Sequence, residues 1–136
     1  MKTPEVCDSI LILTTEEIVF NTLTDSEQLS KWWPKSAISE PMKNGKLIFY
    51  WFNESEIEKH YKSFVKNKEV SFGFGTEFVL IKLYSVDDKV KVDVCHSKIN
   101  PGKYSDSLIH IAQSWTLLLI NLKAYIEYGI DFGESK

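Results

Sequence analysis

A run of short alternating segments between residues 35 and 97 constrains the fold of this chain more than any other feature. Apolar and polar residues alternate in "SAISE", "KLIFYWFN", "EKHYKSFVK", "EVSFGF", "TEFVLIKLYSV" and "VKVDVCH". A period of two is typical of β-strands that bury one face. The connections are brief, and Asn44-Gly45 is a strong hairpin signal. Strands joined so closely must be antiparallel neighbours, which predicts a meander of about six strands.

Helical patterns stand on both sides of this meander. Residues 6–13 predict a first strand, and "TTEEIVFNTL" and "TDSEQLSKWW" each follow with a capping box. With Thr14 and Thr24 as the caps, they predict short helices over about residues 15–23 and 25–33. The last helix, over about residues 106–129, carries one broad apolar stripe. The stripe consists of Leu108, Ile111, Ala112, Trp115, Leu118, Leu119, Leu122 and Ile126.

The order of these elements predicts the architecture. A long antiparallel meander twists and curls, and the final helix is the element long enough to cover its concave face. The sequence therefore predicts an α+β helix-grip fold of β-α-α-β-β-β-β-β-β-α order. In this fold a curved antiparallel sheet of six to seven strands wraps around a long C-terminal helix, in one domain over residues 1–136.

Composition and motifs exclude several classes of function. The net charge of −3 disfavours a nucleic-acid partner, which requires a basic face. The longest unbroken apolar run is far below the roughly 18 residues of a membrane span, so no membrane insertion is expected. No secretion signal is visible, and Cys7 and Cys95 show no metal-ligand spacing, which predicts two reduced cysteines in a cytoplasmic protein. We expect no metal and no cofactor, because His60 and His110 lack suitably spaced neighbours.

Strand alternation predicts which side chains face the final helix. Lys46 marks the solvent side of its strand, so the residues of opposite parity point inward. The inward set is aromatic and nearly uncharged, which indicates a ligand cavity, although a filled core explains it equally well. His96, ionisable near neutral pH, could meet an acidic group of a ligand. The candidate ligand-binding residues are Trp33, Phe49, Trp51, Phe72, Phe74, His96, Tyr104 and Trp115.

A second apolar surface is expected on the outside. Ile48, Tyr50 and Phe52 share the parity of Lys46, and Phe64 stands at the same parity as its flanking lysines. Contiguous exposed apolar residues mark interfaces, so these four residues predict a homodimer contact. Apolar residues also line the back of the final helix, namely Leu117, Ile120, Ala124 and Tyr128. Two explanations are open: these residues pack beneath the short helices or a loop, or they form an interface.

Several phrases resemble one known superfamily. They are "IVFNTLTDSEQLSKWW", "NGKLIFYW", "VKVDVCHSKI" and "SWTLLLINLKAYIEYGID". In this order they resemble the START-like helix-grip superfamily, also called SRPBCC. The similarity is greatest to the group that resembles the activator of the ninety-kilodalton heat-shock chaperone ATPase. The resemblance implies the fold, but the superfamily supports many functions in one cavity. Ser114 stands where the family commonly has glycine.

Three functional hypotheses follow. The leading hypothesis is non-catalytic binding of a small apolar or amphipathic molecule between the curved sheet and the C-terminal helix. The second is a protein-interaction module that contacts a protein chaperone through its outer surface. The third is an enzyme of the cyclase or hydratase type, in which His96 or Glu77 acts as general acid or base. The absence of catalytic motifs favours a binding protein over an enzyme.

Overall fold

The computed structural model describes residues 5–51, 55–74, 76–99 and 105–133. It contains seven strands and three helices within those ranges. In chain order they are β1 (Val6–Ile12), α1 (Glu16–Thr24), α2 (Ser26–Leu29), β2 (Ser36–Ser39), β3 (Lys46–Tyr50), β4 (Glu56–Val65), β5 (Glu69–Phe74), β6 (Glu77–Val86), β7 (Lys89–Ser97) and α3 (Ser105–Tyr128).

The seven strands form one curved antiparallel sheet in the order β1-β7-β6-β5-β4-β3-β2. The six strands of the predicted meander are consecutive neighbours, and β1 adds to its far side by pairing with β7. Helix α3 lies against this sheet and has most of its contacts with β1. The predicted α+β helix-grip fold is confirmed.

The core lies between the concave face of the sheet and α3, as strand alternation predicts. On β7, Val90, Val92 and Val94 are buried together with His96, while the intervening residues are more exposed. On α3 the apolar stripe buries Trp115, Leu119 and Leu122. Because these positions recur every three or four residues, one face of the helix closes the core.

The two short helices begin one residue later than the capping boxes predict. The Thr15 hydroxyl accepts the Ile18 amide hydrogen bond at the start of α1, and the Asp25 carboxylate accepts from Gln28 at the start of α2. The predicted cap Thr24 instead donates its hydroxyl to the Phe20 carbonyl, inside α1. The second helix also ends at Leu29, short of the predicted residue 33.

A bulge in β4 overturns the predicted orientation of Phe64. The register between β4 and β5 shifts between Tyr61 and Ser63. An extra residue in one strand reverses the face of every residue that follows it. Phe64 therefore packs against the core, with its ring 5.1 Å from that of Phe20 and 5.2 Å from that of Tyr61. The prediction that Phe64 points outward is wrong.

In the structure the two cysteines form a disulfide, in place of the two reduced thiols that the sequence predicts. Cys7 on β1 and Cys95 on β7 are direct partners in the antiparallel ladder, with their Cα atoms 4.1 Å apart. This proximity depends on the pairing of the first strand with the last one, 88 residues later. The bond links the edge strand β1 to the rest of the sheet.

Side chains from the helices bond the backbone at both sheet edges. At β1, Lys123 donates to the Leu11 carbonyl over 2.7 Å, and Glu127 accepts from the amide of Leu13 over 3.0 Å. That amide hydrogen bond holds the pKa of Glu127 below its usual range. At β2, the Ser26 hydroxyl accepts from the amide of Ser39 over 2.8 Å.

The back of α3 is not covered by the described part of the chain. Leu117 is 59% exposed, Ile120 52% and Tyr128 73%. We call these three residues the α3 strip, of which Leu117 also borders the cleft between α3 and the sheet. They do not pack beneath α1 and α2, so of the predicted coverings a loop and an interface with another molecule stay open. Within the described ranges, no helix is at once long enough and apolar enough to span a bilayer.

Candidate ligand-binding cleft

A cleft of about 400 Å³ lies between α3 and the concave face of the sheet. This volume is within the range of small-molecule sites. Strands β5, β6 and β7, together with Trp51 just after β3, supply its floor. The segment after α2 supplies a wall, and α3 covers the cleft. Its lining residues are Trp33, Trp51, Phe72, Val79, His96, His110, Ile111, Ser114, Trp115, Leu117 and Leu118. The lining is largely apolar and aromatic, so the cleft favours a ligand with substantial apolar surface.

Trp33 links the aromatic residues around the cleft. Its ring centroid lies 4.7 Å from Phe49, 5.1 Å from Trp115 and 6.1 Å from Phe72. The contacts with Phe49 and Trp115 are edge-to-face, the favoured geometry for aromatic pairs. Trp33 occupies this place because α2 ends at Leu29, whose carbonyl accepts the Trp33 amide hydrogen bond in the following turn. The short helix therefore positions one wall of the cleft.

His96 forms the polar centre of the cleft and connects α3 with two strands. The Trp115 indole N–H donates to His96 Nδ1 over 3.0 Å, and His96 Nε2 lies 2.7 Å from Glu77 Oε1. An indole nitrogen can only donate, so Nδ1 must be the unprotonated nitrogen of a neutral ring. Nε2 then carries the proton and donates it to the Glu77 carboxylate. This arrangement fixes one tautomer of His96, which is buried at 6% exposure.

A buried lysine lies beside the aromatic floor. Lys59 on β4 is 4% exposed, and its Nζ lies 3.5 Å from the ring centroid of Phe49 and 5.7 Å from that of Phe72. Burial lowers the pKa of Lys59 to about 7, because the apolar surroundings penalise its charged form. The amine can therefore change its charge near neutral pH. Phe72 lines the cleft, so one aromatic ring separates the described position of Nζ from the cleft.

Two residues further along β4, Tyr61 faces the same side of the sheet. Its hydroxyl lies 2.7 Å from the hydroxyl of Ser39. Burial raises the pKa of Tyr61 to about 12, and the hydrogen bond with Ser39 offsets part of this effect. Tyr61 is thus a neutral hydrogen-bonded member of the core at physiological pH.

The structure brings most of the predicted ligand-binding residues together. Trp33, Trp51, Phe72, His96 and Trp115 all line the cleft. Phe49 lies beneath the lining as a buried support for Trp33. Tyr104, like the outer-face residue Phe52, lies outside the described residues, and so does the side chain of Phe74. Whether these residues bind a ligand stays a prediction.

Lys59 is the residue that the sequence analysis missed. In "EIEKHYK" the alternation places Lys59 on the same face as Tyr61, opposite Glu58, His60 and Lys62. That parity could have identified an inward lysine. The sequence predicts Glu77 and His96 as two separate candidates. Their hydrogen bond depends on the β6–β7 register, which pairs Val79 with His96.

The polar groups allow two kinds of chemistry. Glu77 and His96 form the polar pair within hydrogen-bond reach that acid–base catalysis requires. Lys59 offers an amine to a polar group of a ligand.

Elsewhere, the potential metal-ligand atoms of Glu5, Cys7 and Cys95 lie within 4.8 Å of one another. The disulfide occupies both of these sulfurs, so no thiolate is present there to bind a metal.

A curved sheet that holds a long C-terminal helix, with an apolar cleft between them, defines a helix-grip protein. The model of one family, described as activator of Hsp90 ATPase homolog 1-like protein, matches residues 13–127. The chain belongs to this family. A search of curated proteins found no match.

Solved structures share the fold at low sequence identity. The protein SSP2350 from Staphylococcus saprophyticus superposes with a TM-score of 0.85 at 17% identity, covering 95% of this chain and 96% of that one. The Aha1 dimer from Colwellia psychrerythraea gives 0.83 at 20% identity, covering 93% and 98%. A protein of unknown function from Enterococcus faecalis, EF2215, gives 0.82 at 18% identity, covering 99% and 78%. These similarities establish the fold alone.

Proposed function

We propose that this protein binds a small apolar or amphipathic molecule in the cleft, without catalysis. The observation that carries the proposal is the cleft of about 400 Å³ whose lining includes three tryptophans, Trp33, Trp51 and Trp115, and a fixed histidine. Pockets for small molecules are apolar, with few polar groups that orient the ligand. The cleft has this composition, and the network around His96 makes its geometry rigid.

A cleft-filling variant tests this proposal. Ser114 and the adjacent Gln113 are both exposed on α3, but Ser114 lines the cleft and Gln113 does not. We expect 1-anilinonaphthalene-8-sulfonate to bind the unmodified protein and to be displaced by 4-phenyl-1-butanol. Ser114→Phe should weaken both ligands at least about tenfold, and Gln113→Phe should leave them unchanged. Equal binding to both variants, or no binding to the unmodified protein, would contradict the proposal.

The Glu77–His96 hydrogen bond favours a second candidate function, acid–base catalysis of the cyclase or hydratase type. The carboxylate that accepts from Nε2 orients the histidine ring and places two proton-carrying groups side by side. Such a pair should catalyse the exchange of protons on a carbon atom next to a carbonyl group. We expect deuterium to enter 4-phenylbutan-2-one in heavy water with the unmodified protein and more slowly with Glu77→Gln. Equal exchange in both samples would exclude this function.

We also propose contacts with other proteins. The description of the family refers to an activator of the Hsp90 ATPase, and one of the structural neighbours is a dimer. Both observations support an interaction surface on this chain. Two apolar surfaces are available: the α3 strip and the outer side of β3, where Ile48 and Tyr50 are half-buried. A homodimer through one of them and binding to a protein chaperone are the two forms of this proposal.

A cytoplasmic location is part of the proposal, with the disulfide as its main test. Cytoplasmic reductants usually reduce disulfides, so a cytoplasmic location predicts that the Cys7–Cys95 bond of the structure is open in cells. Rapid alkylation of cells that make the protein, followed by mass spectrometry, measures their state. Two alkylated cysteines support the cytoplasmic location, and an unmodified disulfide contradicts it.

A further inference from the structure

Lys59 is the buried basic group beside the cleft. Its strand, β4, lies three strands away from β7, which carries His96. At about 4.8 Å between neighbouring strands, the two side chains begin roughly 14 Å apart across the floor. The polar groups thus occupy separate parts of an otherwise apolar surface. A ligand that spans the floor could contact one of them with a terminal group.

The surroundings of Lys59 attract a cation but also desolvate it. The Phe49 ring, 3.5 Å from Nζ, offers its negative π face to the ammonium group. Removal from water penalises the ammonium form, and this burial lowers the pKa of Lys59. A carboxylate that entered the same apolar region would reduce this cost, because opposite charges attract most strongly where water is excluded.

His96 is poorly placed to perform the same task. Both of its ring nitrogens are already engaged, with Trp115 and with Glu77. The Glu77 carboxylate would also repel an acidic group of a ligand. The expectation that His96 meets an acidic ligand is therefore weaker than the alternative on β4.

We propose that the ligand is an apolar carboxylic acid and that the ammonium group of Lys59 binds its carboxylate. This inference rests on the proposed binding function and specifies the class of ligand. The four-carbon stem of lysine is flexible, so Nζ can move from the Phe49 ring toward the edge of Phe72 at the cleft. The apolar part of the acid would then lie among the tryptophans.

The ionisable groups around Lys59 are few on its own side of the sheet. The inward residues of the neighbouring strands β3 and β5 include Leu47, Phe49, Val70 and Phe72, which do not titrate. The described ionisable groups that face this interior or line the cleft are Tyr61 on β4, Glu77 on β6, His96 on β7 and His110 on α3. Tyr61 stays neutral up to about pH 12, which leaves Glu77 and the two histidines as the other groups to control.

The test compares three ligands that differ in one terminal group: 4-phenylbutanoate, 4-phenyl-1-butanol and 4-phenylbutylamine. At pH 6.5 we expect the acid to bind at least about tenfold more tightly than the alcohol, and the amine most weakly. Above pH 7 the free protein has a neutral Lys59, so binding of the acid must take up a proton. Its affinity should therefore fall by up to about tenfold per pH unit between pH 7 and 9, while that of the alcohol stays constant.

Variants assign the effect to Lys59. Lys59→Met should abolish the preference for the acid and retain binding of the alcohol, and Glu77→Gln should retain the pH dependence. Lys62→Met, on the exposed side of the same strand, is the matched control and should change neither property. Calorimetry in buffers of different ionisation enthalpy measures the proton uptake directly.

Each outcome separates this inference from the proposed function. If the alcohol binds but the acid is not preferred, the role of Lys59 is overturned and the cleft remains a binding site. A preference for the amine would assign recognition to Glu77 instead. If none of the three ligands binds, both the function and the inference are overturned.

Discussion

The indole of Trp115 donates a hydrogen bond to Nδ1 of His96 across the interface between α3 and β7. The same histidine donates to Glu77 on β6 through its other nitrogen. The helix and two strands are thus joined by one chain of polar contacts inside an apolar interior. Because each nitrogen has a defined partner, these contacts select one tautomer of His96 and hold α3 over the cleft.

Trp115→Phe should remove this contact while it retains an aromatic ring. A buried Nδ1 without its donor costs about 1–3 kcal/mol, in addition to a smaller loss of apolar contact. Urea denaturation should show this loss. Trp51→Phe, at the half-buried end of the same cleft, should cost less. Nitrogen chemical shifts should report a single Nε2–H tautomer for His96 in the unmodified protein and a mixture in Trp115→Phe. If Trp115→Phe and Trp51→Phe lose the same stability, and the nitrogen shifts of His96 do not change in Trp115→Phe, the role of the Trp115–His96 hydrogen bond is disproved.

Lys59→Met should stabilise the protein at neutral and acidic pH. The pKa of Lys59 is about 7 in the folded protein, against 10.5 ordinarily, so the unfolded chain binds more protons between these values. The penalty for Lys59 is therefore greatest below pH 7 and disappears as the pH rises toward 10.5. We expect a stabilisation on the order of 3 kcal/mol at pH 6 and little change at pH 10.5.

Denaturant titrations at both pH values measure this difference. Lys62→Met provides the comparison, because Lys62 is exposed and its substitution should have little effect at either pH. A gain for Lys59→Met that does not depend on pH would show that packing, and not charge burial, produces it.

Loss of the disulfide should destabilise the chain. The bond closes a loop of 88 residues, and cross-links of long loops restrict the unfolded chain most. The double substitution Cys7→Ser with Cys95→Ser should lower the free energy of unfolding by about 2–4 kcal/mol. Dithiothreitol should destabilise the unmodified protein similarly and leave the double variant unaffected. The idea fails if the reduced and oxidised proteins unfold at the same urea concentration.

Substitutions on the two outer apolar surfaces should identify a homodimer contact. If the α3 strip is the interface, Ile120→Ser together with Tyr128→Ser should convert a dimer into a monomer in analytical ultracentrifugation. Tyr50→Ser, on the outer side of β3, should then leave the dimer intact; the opposite result assigns the contact to the sheet. A monomer in the unmodified protein at high micromolar concentration would rule out both surfaces.

Local patterns in the sequence predict most of the fold because each strand buries one face. Leu47 and Phe49 on β3, like the valines of β7, point inward as their parity requires. The errors arise where a local pattern has two equivalent solutions. Thr14 and Thr15 are both good caps, as are Thr24 and Asp25, so the sequence could not distinguish starts one residue apart.

The remaining differences depend on long-range register. The pairing of Cys7 with Cys95 follows from the contact between the first and last strands, which no local spacing reveals. The bulge before Ser63 changes the parity of Phe64 through one extra residue. The bond between Glu77 and His96 requires the β6–β7 register. The alternation in β4 places Lys59 on the same inward face as Tyr61. Sequence reasoning seldom assigns a lysine to the interior, because charged residues are rarely buried.

The side-chain bonds at both margins of the sheet have a consequence for assembly. Unpaired backbone groups on outer strands can template the addition of another strand, which leads to fibrils. Lys123 occupies such a group on β1, Glu127 occupies the amide of the residue just after β1, and Ser26 occupies one on the four-residue strand β2. Copies of this chain should therefore associate through side-chain surfaces, and loss of Lys123 or Glu127 should favour filament growth from β1.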